Sequence, residues 1–423
     1  MSEPISIISP VTPGSSTCGY CGPPGERSRT RSSHHRAECV ASQLSCRVYQ
    51  EMIDRGWRRS GTFCYKPDMK RTCCPQYTIK LDALEFKPSK SQRKLLNRWN
   101  RFVLQGDQHD ADDPMEGSSK GPSQAKQPKG KGKATHVFNL TEDIHAGERS
   151  FLDEKTPAHT FEVTLEPSSF TEEKFALYVS YQKEIHHEDD KKSSSFKRFL
   201  VQTPLVPQPI EYSSTRPEHL PENYGSYHQL YRLDGELIAV GVIDILPNCV
   251  SSVYFMYEKK WEKFSLGKLS ALREAALARE IHEAGVPDMK YLYLGYYVHS
   301  CPKMRYKGDY SPSYLADPEE YTWFPLDKCR PLLDEYHYAC FSHPEHSLKA
   351  PSPTPDPTPD IPFDILMQTQ YIVDIKGKQV SFAPVLVAKE CQREDARETV
   401  WNTLEALGQK LAQEVLLDFS YEF

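Results

Sequence analysis

Two pairs of cysteines near the start of the chain have the residue type and spacing that bind a metal. Cys18-Gly-Tyr-Cys21 lets one turn present two thiolates to one ion, and Cys73-Cys74 supplies two more after 51 intervening residues. Adjacent cysteines normally point in different directions, which suits a cluster with several metal atoms better than a tight tetrahedral zinc site. Zinc and iron–sulfur ligation are both open, and buried, inert thiols are the alternative. Two pairs in one basic segment favour a metal centre.

A second stretch combines an aromatic strand with a group of cations. Residues 291–297 (Tyr-Leu-Tyr-Leu-Gly-Tyr-Tyr) predict a strand, and His299 follows it. Lys303, Arg305 and Lys307 then occupy alternate positions of a predicted loop. A strand that carries three cations and a histidine at its end is typical of an anion site. A solvated basic loop is the alternative interpretation.

The elements that position these residues predict an α+β fold. Capping boxes, terminal glycines and apolar periodicity mark the helices, and an Asp-Gly turn at 234–235 marks a hairpin. The order of strands and helices predicts a mixed main sheet with helices on its faces. The predicted helices cover about 45–55, 89–106, 169–186, 265–284 and 394–416, and the predicted strands include 225–232, 236–245, 291–297 and 371–375.

Length and composition predict the domain organisation. At 423 residues the chain is long enough for two or three domains, each with its own core. A linker rich in Gly, Ser, Pro and Lys separates a basic segment from a longer one. The predicted parts are a disordered N-terminus (1–14), a cysteine-rich basic domain (15–106), a flexible linker (107–135) and a large domain (136–423) with a proline-rich insertion (344–360).

The sequence contains no pattern typical of a membrane or secreted protein. No apolar run approaches the roughly 18–20 residues that span a bilayer, and Met1 to Gly14 lack the basic and apolar regions of a signal peptide. We therefore expect an intracellular protein with no membrane partner. Its twelve cysteines are then not expected to form a disulfide framework.

Charge is distributed unevenly along the chain. Residues 1–105 carry a net charge of +10 while the whole chain carries −6, so the remainder carries −16. A basic segment on an acidic protein indicates a polyanionic partner, with nucleic acid first and acidic protein second. The predicted helix near residues 89–105 presents Arg93, Lys94, Arg98 and Arg101 opposite its apolar stripe, where they could bind phosphates. A solvated helix face is the alternative.

Several blocks of this sequence are typical of one protein family. In the N-terminal part the blocks are Asp54-Arg-Gly-Trp-Arg-Arg-Ser-Gly61, Tyr65-Lys-Pro67, Thr72-Cys-Cys-Pro-Gln-Tyr-Thr-Ile79 and Phe86-Lys-Pro-Ser-Lys90. In the C-terminal part they are Gly225-Ser-Tyr-His-Gln229, Ile238 to Tyr254, Ser265-Leu-Gly267, Ala271-Leu-Arg-Glu274 and His299-Ser-Cys-Pro-Lys-Met304. These blocks resemble eukaryotic arginyl-tRNA–protein transferases. They cover roughly residues 15–105 and 160–330, while segments 24–44 and 344–360 depart from familiar members of that family.

The resemblance implies an aminoacyltransferase that moves arginine from Arg-tRNA to the N-terminal amine of other proteins. The acceptors would begin with Asp, Glu or oxidised Cys, and the added arginine would mark them for ubiquitin-dependent degradation in the N-end rule pathway. The resemblance also implies a GNAT-like acyltransferase domain over 136–423 and an iron–sulfur cluster or zinc at the four cysteines. The expected partners are arginyl-tRNA and proteins with acidic N-termini, with no nucleotide cofactor. The expected compartment is the cytoplasm, with the nucleus second.

Such a transfer is the aminolysis of an ester, which places light demands on a general base. An α-amine has a pKa near ~7.7–8, so positioning and oxyanion stabilisation should provide most of the acceleration. His228 and His299 are candidates for a proton acceptor or an orienting group. An acidic acceptor needs a cation, so Arg58 and Arg59 join the three cations after the 291–297 strand as candidates.

The arginyl group of the donor needs a carboxylate. Asp244, which we also count among the candidate catalytic residues, lies in an otherwise apolar strand, where a charge needs a partner. Glu274 in the long predicted helix is the next candidate for binding substrate. The alternative for Asp244 is a structural salt bridge.

Two other functions compete with this interpretation. A GNAT-type acetyltransferase that uses acetyl-CoA would hold the pyrophosphate on a Gly-rich turn at a helix start, and residues 264–269 offer one glycine. A non-enzymatic metal- and RNA-binding protein would explain the basic first segment. It would not explain the His-Ser-Cys-Pro-Lys block at 299–303.

Overall fold

A computed structural model gives the architecture of most of the chain. It describes residues 3–22, 26–30, 33–106, 137–152, 156–354, 360–375 and 379–420. Two β-sheets with helices packed on them confirm the predicted α+β class with mixed sheets. Within the described residues, no helix has the length and apolar character needed to cross a bilayer.

The first sheet joins strands from both ends of the described chain. Its shortest central strand runs parallel to both neighbours, whereas the remaining pairs are antiparallel. Residues before 68 and after 369 therefore share one sheet. In spatial order its seven strands are β15 (Gln379–Pro384), β14 (Gln370–Ile375), β16 (Val415–Leu417), β1 (Ser6–Ser16), β2 (His34–Gln43), β4 (Phe63–Pro67) and β3 (Arg58–Ser60).

The predicted disorder of residues 1–14 is wrong from Ser6 onwards. Strand β1 lies between β2 and β16, and Ile8 in its first half is fully buried. Pro10 and Pro13 weaken the local strand signal, since proline cannot donate to a sheet ladder. The register shifts between Val11 and Gly14, around the second proline. The partner β16 lies at the other end of the chain, so no local pattern could reveal the pairing.

The second sheet is the larger one and confirms the predicted hairpin. Asp234 and Gly235 form its turn with φ values of 51° and 84°, the left-handed geometry that favours an Asp-Gly sequence. In spatial order its strands are β13 (Trp323–Pro325), β12 (Ser313–Ala316), β5 (Tyr77–Asp82), β11 (Tyr291–Tyr297), β10 (Cys249–Tyr257), β9 (Glu236–Leu246), β8 (Asn223–Leu233) and β6 (Phe161–Pro167), with β7 (Gln208–Pro209) paired to β8.

Strands β10 and β11 are parallel neighbours that pair over a short length. The register joins Cys249–Ser251 to Tyr291–Tyr293 and ends there. Beyond it, β10 has a register shift after Ser252, and β11 has one where Gly295 adopts φ of 72°. Such irregularities bend a strand; that of β10 lies near the middle of the strand, and that of β11 lies near its carboxyl end. Ligands of sheets with parallel strands commonly bind at such ends.

The long helices begin and end close to the predicted residues. Ser89 caps its helix in a full capping box, in which Gln92 bonds back to the Ser89 amide. The predicted C-terminal helix is broken at Gly408, which has φ of 81°. The helices are α1 (Cys46–Asp54), α2 (Lys90–Gln105), α3 (Leu140–Asp143), α4 (Glu172–Ile185), α5 (Ser193–Phe196), α6 (Leu266–Glu283), α7 (Pro302–Arg305), α8 (Leu326–Glu335), α9 (Phe363–Gln368), α10 (Glu394–Leu407) and α11 (Gln409–Glu414).

The sheets cross the predicted boundary between segments 15–106 and 136–423. Strand β5 belongs to the first segment but lies between β11 and β12 of the larger sheet, and β1 to β4 share a sheet with the C-terminal strands. This arrangement differs from two separately folded domains. The predicted linker 107–135 lies outside the described residues, and the GNAT-like assignment of 136–423 stays a prediction.

Candidate active site and metal centre

Four thiols converge where the chain leaves β1 and approaches β5. The Sγ atoms of Cys18, Cys21, Cys73 and Cys74 all lie within 4.8 Å of one another, and those of Cys21 and Cys73 are 3.7 Å apart. A tetrahedral zinc with Zn–S bonds of ~2.3 Å holds its sulfurs about 3.8 Å apart, so these donors fit a metal. The adjacent pair does not diverge as expected, because both thiols join the same group. The cluster could therefore hold a metal ion.

Hydrogen bonds hold Cys18 in position within this cluster. Its amide donates to the hydroxyls of Ser28 (2.8 Å) and Ser33 (3.1 Å), and the Tyr20 amide donates to its Sγ at 3.3 Å. The bond from the Cys74 thiol, assisted by the Tyr20 amide, lowers the pKa of the Cys18 thiol although burial opposes the shift. A thiolate is the form that binds a metal.

The cysteine cluster packs against the end of β11. Cys18 and Cys74 share a buried apolar group with Val298 and Cys301, and Met304 packs on its edge. These three residues belong to the segment that leads from β11 through α7. The cluster therefore supports the segment that carries the predicted cations.

Two cations lie at main-chain carbonyls near the carboxyl end of β11, past the point where this strand stops pairing with β10. Lys307 donates from Nζ to the Tyr296 carbonyl at 2.9 Å, and Arg58 donates from Nη2 to the Gly295 carbonyl at 3.1 Å. Burial, reinforced by the Arg58 charge, lowers the pKa of Lys307 to about 7. Neither cation forms a salt bridge within the described residues. Asp54 lies nearby, but burial raises its pKa.

Lys303 and Arg305 lie apart from this pair. The predicted loop is in fact the short helix α7 followed by a 3-10 turn at Tyr306–Asp309, and Pro302 at its start fits the preference of proline for the first helical position. Both side chains are exposed to solvent. Only Lys307, of the three predicted cations, turns inward to β11.

Arg59 and Asp244 bind each other in the interior. Arg59 donates from Nη2 to Oδ1 at 2.6 Å and from Nε to Oδ2 at 2.9 Å, and Ser226 donates to Oδ1 at 2.7 Å. Burial alone would lower the pKa of Arg59, but the Asp244 charge more than offsets it and the pKa is raised. This bidentate pair favours the structural alternative for Asp244 and engages the Arg59 guanidinium at the same time.

His228 is fully buried on β8. Its Nε2 lies 2.8 Å from the Leu200 carbonyl, and its Nδ1 lies 3.1 Å from the Lys174 ammonium. Burial, together with the Lys174 charge, lowers its pKa to about 4. The neutral ring thus has both nitrogens bonded inside the protein.

His299 is more accessible and lies where β11 ends. Its Nδ1 is 2.9 Å from the Tyr297 hydroxyl, and its Nε2 is 2.7 Å from Asp334 Oδ1. Asp334 belongs to α8 and is exposed. A carboxylate on one nitrogen and a phenol on the other fix the ring orientation. His299 follows the Gly295–Tyr296 carbonyls, bound by Arg58 and Lys307, by three residues.

Glu274 is a buried carboxyl group with one unused oxygen. The Ser270 hydroxyl donates to its Oε1 at 2.5 Å, while Oε2 has no partner among the described residues. Burial raises its pKa to about 7, although the Ser270 hydrogen bond and the nearby Ser252 hydroxyl, which forms no hydrogen bond of its own with the carboxylate, act in the opposite direction. The charge of Glu274 adds to burial in raising the pKa of Tyr306, the neighbour of Lys307. An unpaired buried carboxyl group is costly and marks a candidate binding position.

The predicted phosphate-binding residues lie on α2. Lys94 and Arg101 are exposed, Arg93 is partly exposed over the Phe138 ring, and Arg98 donates to the Lys263 carbonyl. The opposite side of the helix packs in the core through Leu96, Trp99 and Val103. Lys263, which was not among the predicted residues, adds a cation beside Arg98, since both side chains lie over the Phe264 ring.

Comparison with known proteins decides the family. Residues 16–94 match the family model of the arginine-tRNA-protein transferase N terminus, and residues 173–317 match that of its C terminus. An arginyl-tRNA–protein transferase of Drosophila melanogaster is 36% identical over 79% of this chain and 85% of its own length. The chain belongs to the arginyl-tRNA–protein transferase family.

Two further relatives support an aminoacyltransferase. An arginyl-tRNA–protein transferase of Arabidopsis thaliana is 30% identical over 77% of this chain and 74% of its own length. An aspartate/glutamate leucyltransferase of Stutzerimonas stutzeri is 27% identical over 64% of this chain and 80% of its own length. This member of the family is therefore an aminoacyltransferase, as the sequence blocks implied.

Sequence reasoning missed the residues that hold the predicted ones in place. Ser270 stands four positions before Glu274, a helical spacing that could have been noticed. Asp334 lies 35 residues after His299. Cys301 contacts the cysteine cluster, whose members precede it by more than 200 residues. Contacts of that separation leave no local pattern.

We expect Asp244→Ala to lower the free energy of unfolding by about 3–5 kcal/mol, because it leaves the Arg59 charge buried without its partner. Urea unfolding of the purified protein measures the change. The matched control is Glu173→Ala, which removes a solvent-exposed salt bridge to Arg232 and should cost less than about 1 kcal/mol. Equal stability of Asp244→Ala and the wild type would show that the pair does not support the fold.

The double variant Cys73→Ser/Cys74→Ser should lose the thiolate-bound metal, because two of four donors are removed. Elemental analysis measures the metal, and reconstitution with Co²⁺ reports thiolate ligation by a sulfur-to-metal charge-transfer band. Cys391→Ser, a buried thiol outside the cluster, is the control and should keep the metal. An unchanged charge-transfer band in the double variant would disprove the ligand assignment.

Proposed function

We propose that this protein transfers arginine from Arg-tRNA to the N-terminal amine of proteins that begin with Asp, Glu or oxidised Cys. The arginylated proteins are then marked for ubiquitin-dependent degradation, in the cytoplasm and also in the nucleus. The amine nitrogen attacks the ester carbonyl of the arginyl group, a C–N bond forms, and the C–O bond to the terminal ribose breaks. The proton lost by the amine ends on the released ribose hydroxyl.

The acidic acceptor class is supported above all by Arg58 and Lys307. These two cations lie near the carboxyl end of β11 and form no salt bridge with any described residue. A carboxylate from an acceptor side chain would pair with them. A relative named for aspartate and glutamate, similar over 64% of this chain, agrees with that acceptor class. His299, held by Tyr297 and Asp334, is the nearest predicted proton acceptor in sequence.

Glu274 is the better candidate for the guanidinium of the donor arginine. Both carboxylate oxygens of Asp244 accept hydrogen bonds from Arg59 or Ser226, whereas Oε2 of Glu274 accepts none within the described residues. A guanidinium within hydrogen-bond distance would lower the raised pKa of Glu274 and satisfy that oxygen. Lys94, Arg98 and Arg101 on α2 would contact tRNA phosphates, which makes the affinity salt-dependent.

The four cysteines are proposed to hold zinc or an iron–sulfur cluster. Their convergence within 4.8 Å supports ligation by all four thiolates. The metal would lock the loops of Cys18 and Cys73 together and so brace Val298, Cys301 and Met304. Anaerobic purification with iron and sulfide assays separates an iron–sulfur cluster, which absorbs visible light, from colourless zinc.

The deciding assay offers labelled Arg-tRNA to peptides that differ only in the first residue. An Asp peptide should be labelled much faster than an Asn or an Ala peptide, because only Asp presents a carboxylate to Arg58 and Lys307. The isosteric Asn peptide controls for shape. Equal labelling of the three peptides would overturn the acceptor assignment, and no labelling of any would overturn the transfer itself.

The KM for the Asp peptide should rise above pH 7, by up to about tenfold per pH unit, because Lys307 with a pKa of about 7 loses its charge there. Over the same range kcat should rise as the acceptor amine deprotonates. Lys307→Arg keeps the charge at every pH, so its KM should stay flat. Parallel KM profiles for the wild type and Lys307→Arg would exclude Lys307 from carboxylate binding.

A further inference from the structure

A second group of metal-binding side chains lies on α6 and the segments packed beside it. His145 follows α3, His219 lies in the connection between β7 and β8, and Glu280 lies in the last turns of α6. Their ligand atoms all lie within 4.8 Å of one another. His145 Nε2 is 2.9 Å from one Glu280 oxygen, and His219 Nε2 is 3.4 Å from the other.

The surroundings of His145 match those of a metal-bound histidine. Its Nδ1 lies 2.9 Å from Glu148 Oε1, and Glu148 in turn forms a salt bridge with Arg273. A carboxylate on the second nitrogen fixes the tautomer and the ring orientation, which leaves Nε2 to coordinate. Stacking on Phe151, at 3.9 Å between ring centroids, fixes the ring further. His145 is thus prepared to donate from Nε2.

A cavity gives an ion access to these atoms. It has a volume of about 30 Å³ and is lined by the three residues together with Glu148, Arg273 and Gln229. The His219 side chain is 36% exposed, whereas Glu280 is 12% exposed. The group is therefore enclosed but open to solvent from the side of His219.

We propose that His145, His219 and Glu280 form a binding site for a zinc-class divalent metal ion, separate from the cysteine cluster. Two imidazoles and one carboxylate are a donor set of zinc sites, with a water in the fourth position. Bonds of ~2.0–2.1 Å place tetrahedral donors roughly 3.4 Å apart. The two donor separations in the structure, 2.9 and 3.4 Å, need small shifts to match.

The metal would join three parts of the chain that lie far apart in sequence. His145 belongs to the described segment that follows residues 107–136, His219 to the connection before β8, and Glu280 to the helix that also carries Glu274. The site would fix the first two segments on α6. The role is structural, and it does not depend on the proposed arginine transfer.

The rival explanation of the same distances is a hydrogen-bonded ion-pair network without a metal. Its members would be an imidazolium at His145 between Glu148 and Glu280, with Arg273 beside Glu148 and His219 on the rim. A metal and this network respond differently to added ions. Titration of chelator-treated full-length protein with Co²⁺ separates them.

The wild type should bind Co²⁺ at a site without the sulfur-to-metal charge-transfer band, in addition to the thiolate-bound ion. His219→Ala, chosen because this histidine is the most exposed of the three, and Glu280→Gln, which keeps the shape of the side chain, should lose only that site. Glu148→Gln should weaken it by about 10–100-fold. His159→Ala removes a histidine paired with a single carboxylate, Asp234, and should retain both sites.

Thermal unfolding provides the second measurement. Added Zn²⁺ should raise the Tm of the wild type and of His159→Ala by more than it raises the Tm of His219→Ala and Glu280→Gln. Co²⁺ binding confined to the thiolates in the wild type would overturn the proposal in favour of the ion-pair network. So would full retention of the second ion in both His219→Ala and Glu280→Gln.

Discussion

The buried pair of Arg59 and Asp244 joins the two sheets, and the candidate site depends on that junction. Arg59 belongs to β3 at the edge of the smaller sheet, and Asp244 belongs to β9 inside the larger one. Their side chains are 3% and 0% exposed. A buried ion pair adds little net stability compared with apolar residues, but once present each charge requires the other. The pair therefore fixes where one sheet meets the other.

The position of Arg58 follows from this junction. Side chains alternate along a strand, so the residue before Arg59 points the other way and reaches the Gly295 carbonyl of β11. That carbonyl lies past the point where β10 and β11 stop pairing. The irregular end of β11 leaves main-chain oxygens for Arg58 and Lys307, and the cysteine cluster braces the segment from which Lys307 returns. The junction of the sheets thus positions Arg58, and the cysteine cluster supports the segment that carries Lys307.

Local sequence patterns correctly predicted the elements that are encoded within a few residues. They did not predict strand pairings between segments far apart in the chain. The capping box of α2, the Asp-Gly hairpin and the periodicity of α6 are encoded within a few residues, and each matches the structure. The shared sheet of β1 and β16 depends on opposite ends of the chain, so the N-terminus looked disordered. The same contrast applies to the site. An apolar strand around Asp244 indicated that it needs a partner, but only the fold identifies Arg59 as that partner.

The thiols of the four cysteines also lie closer together than the spacing of these residues in the sequence implied. Two adjacent cysteines in an extended strand point to opposite faces, which is why the sequence favoured several metal atoms. Residues 73 and 74 lie in the turn before β5, where alternation does not apply, so both thiols can reach one centre. Turn geometry of this kind requires coordinates, since many backbone conformations are compatible with the same residues.

The two positive charges near the carboxyl end of β11 favour a negatively charged ligand. Arg58 and Lys307 are brought together at this end of β11, where burial and the Arg58 charge lower the pKa of Lys307 to about 7. A fold gains nothing by holding two cations so close, because their repulsion reduces its stability. Unfavourable arrangements of this kind concentrate at functional sites, where a substrate relieves them. Under the proposed function, a carboxylate between the two would restore the charge of Lys307, which would couple acceptor binding to protonation. Under the same proposal, an acceptor without the carboxylate would lose both gains, and this would give the selection of acidic N-termini a physical basis.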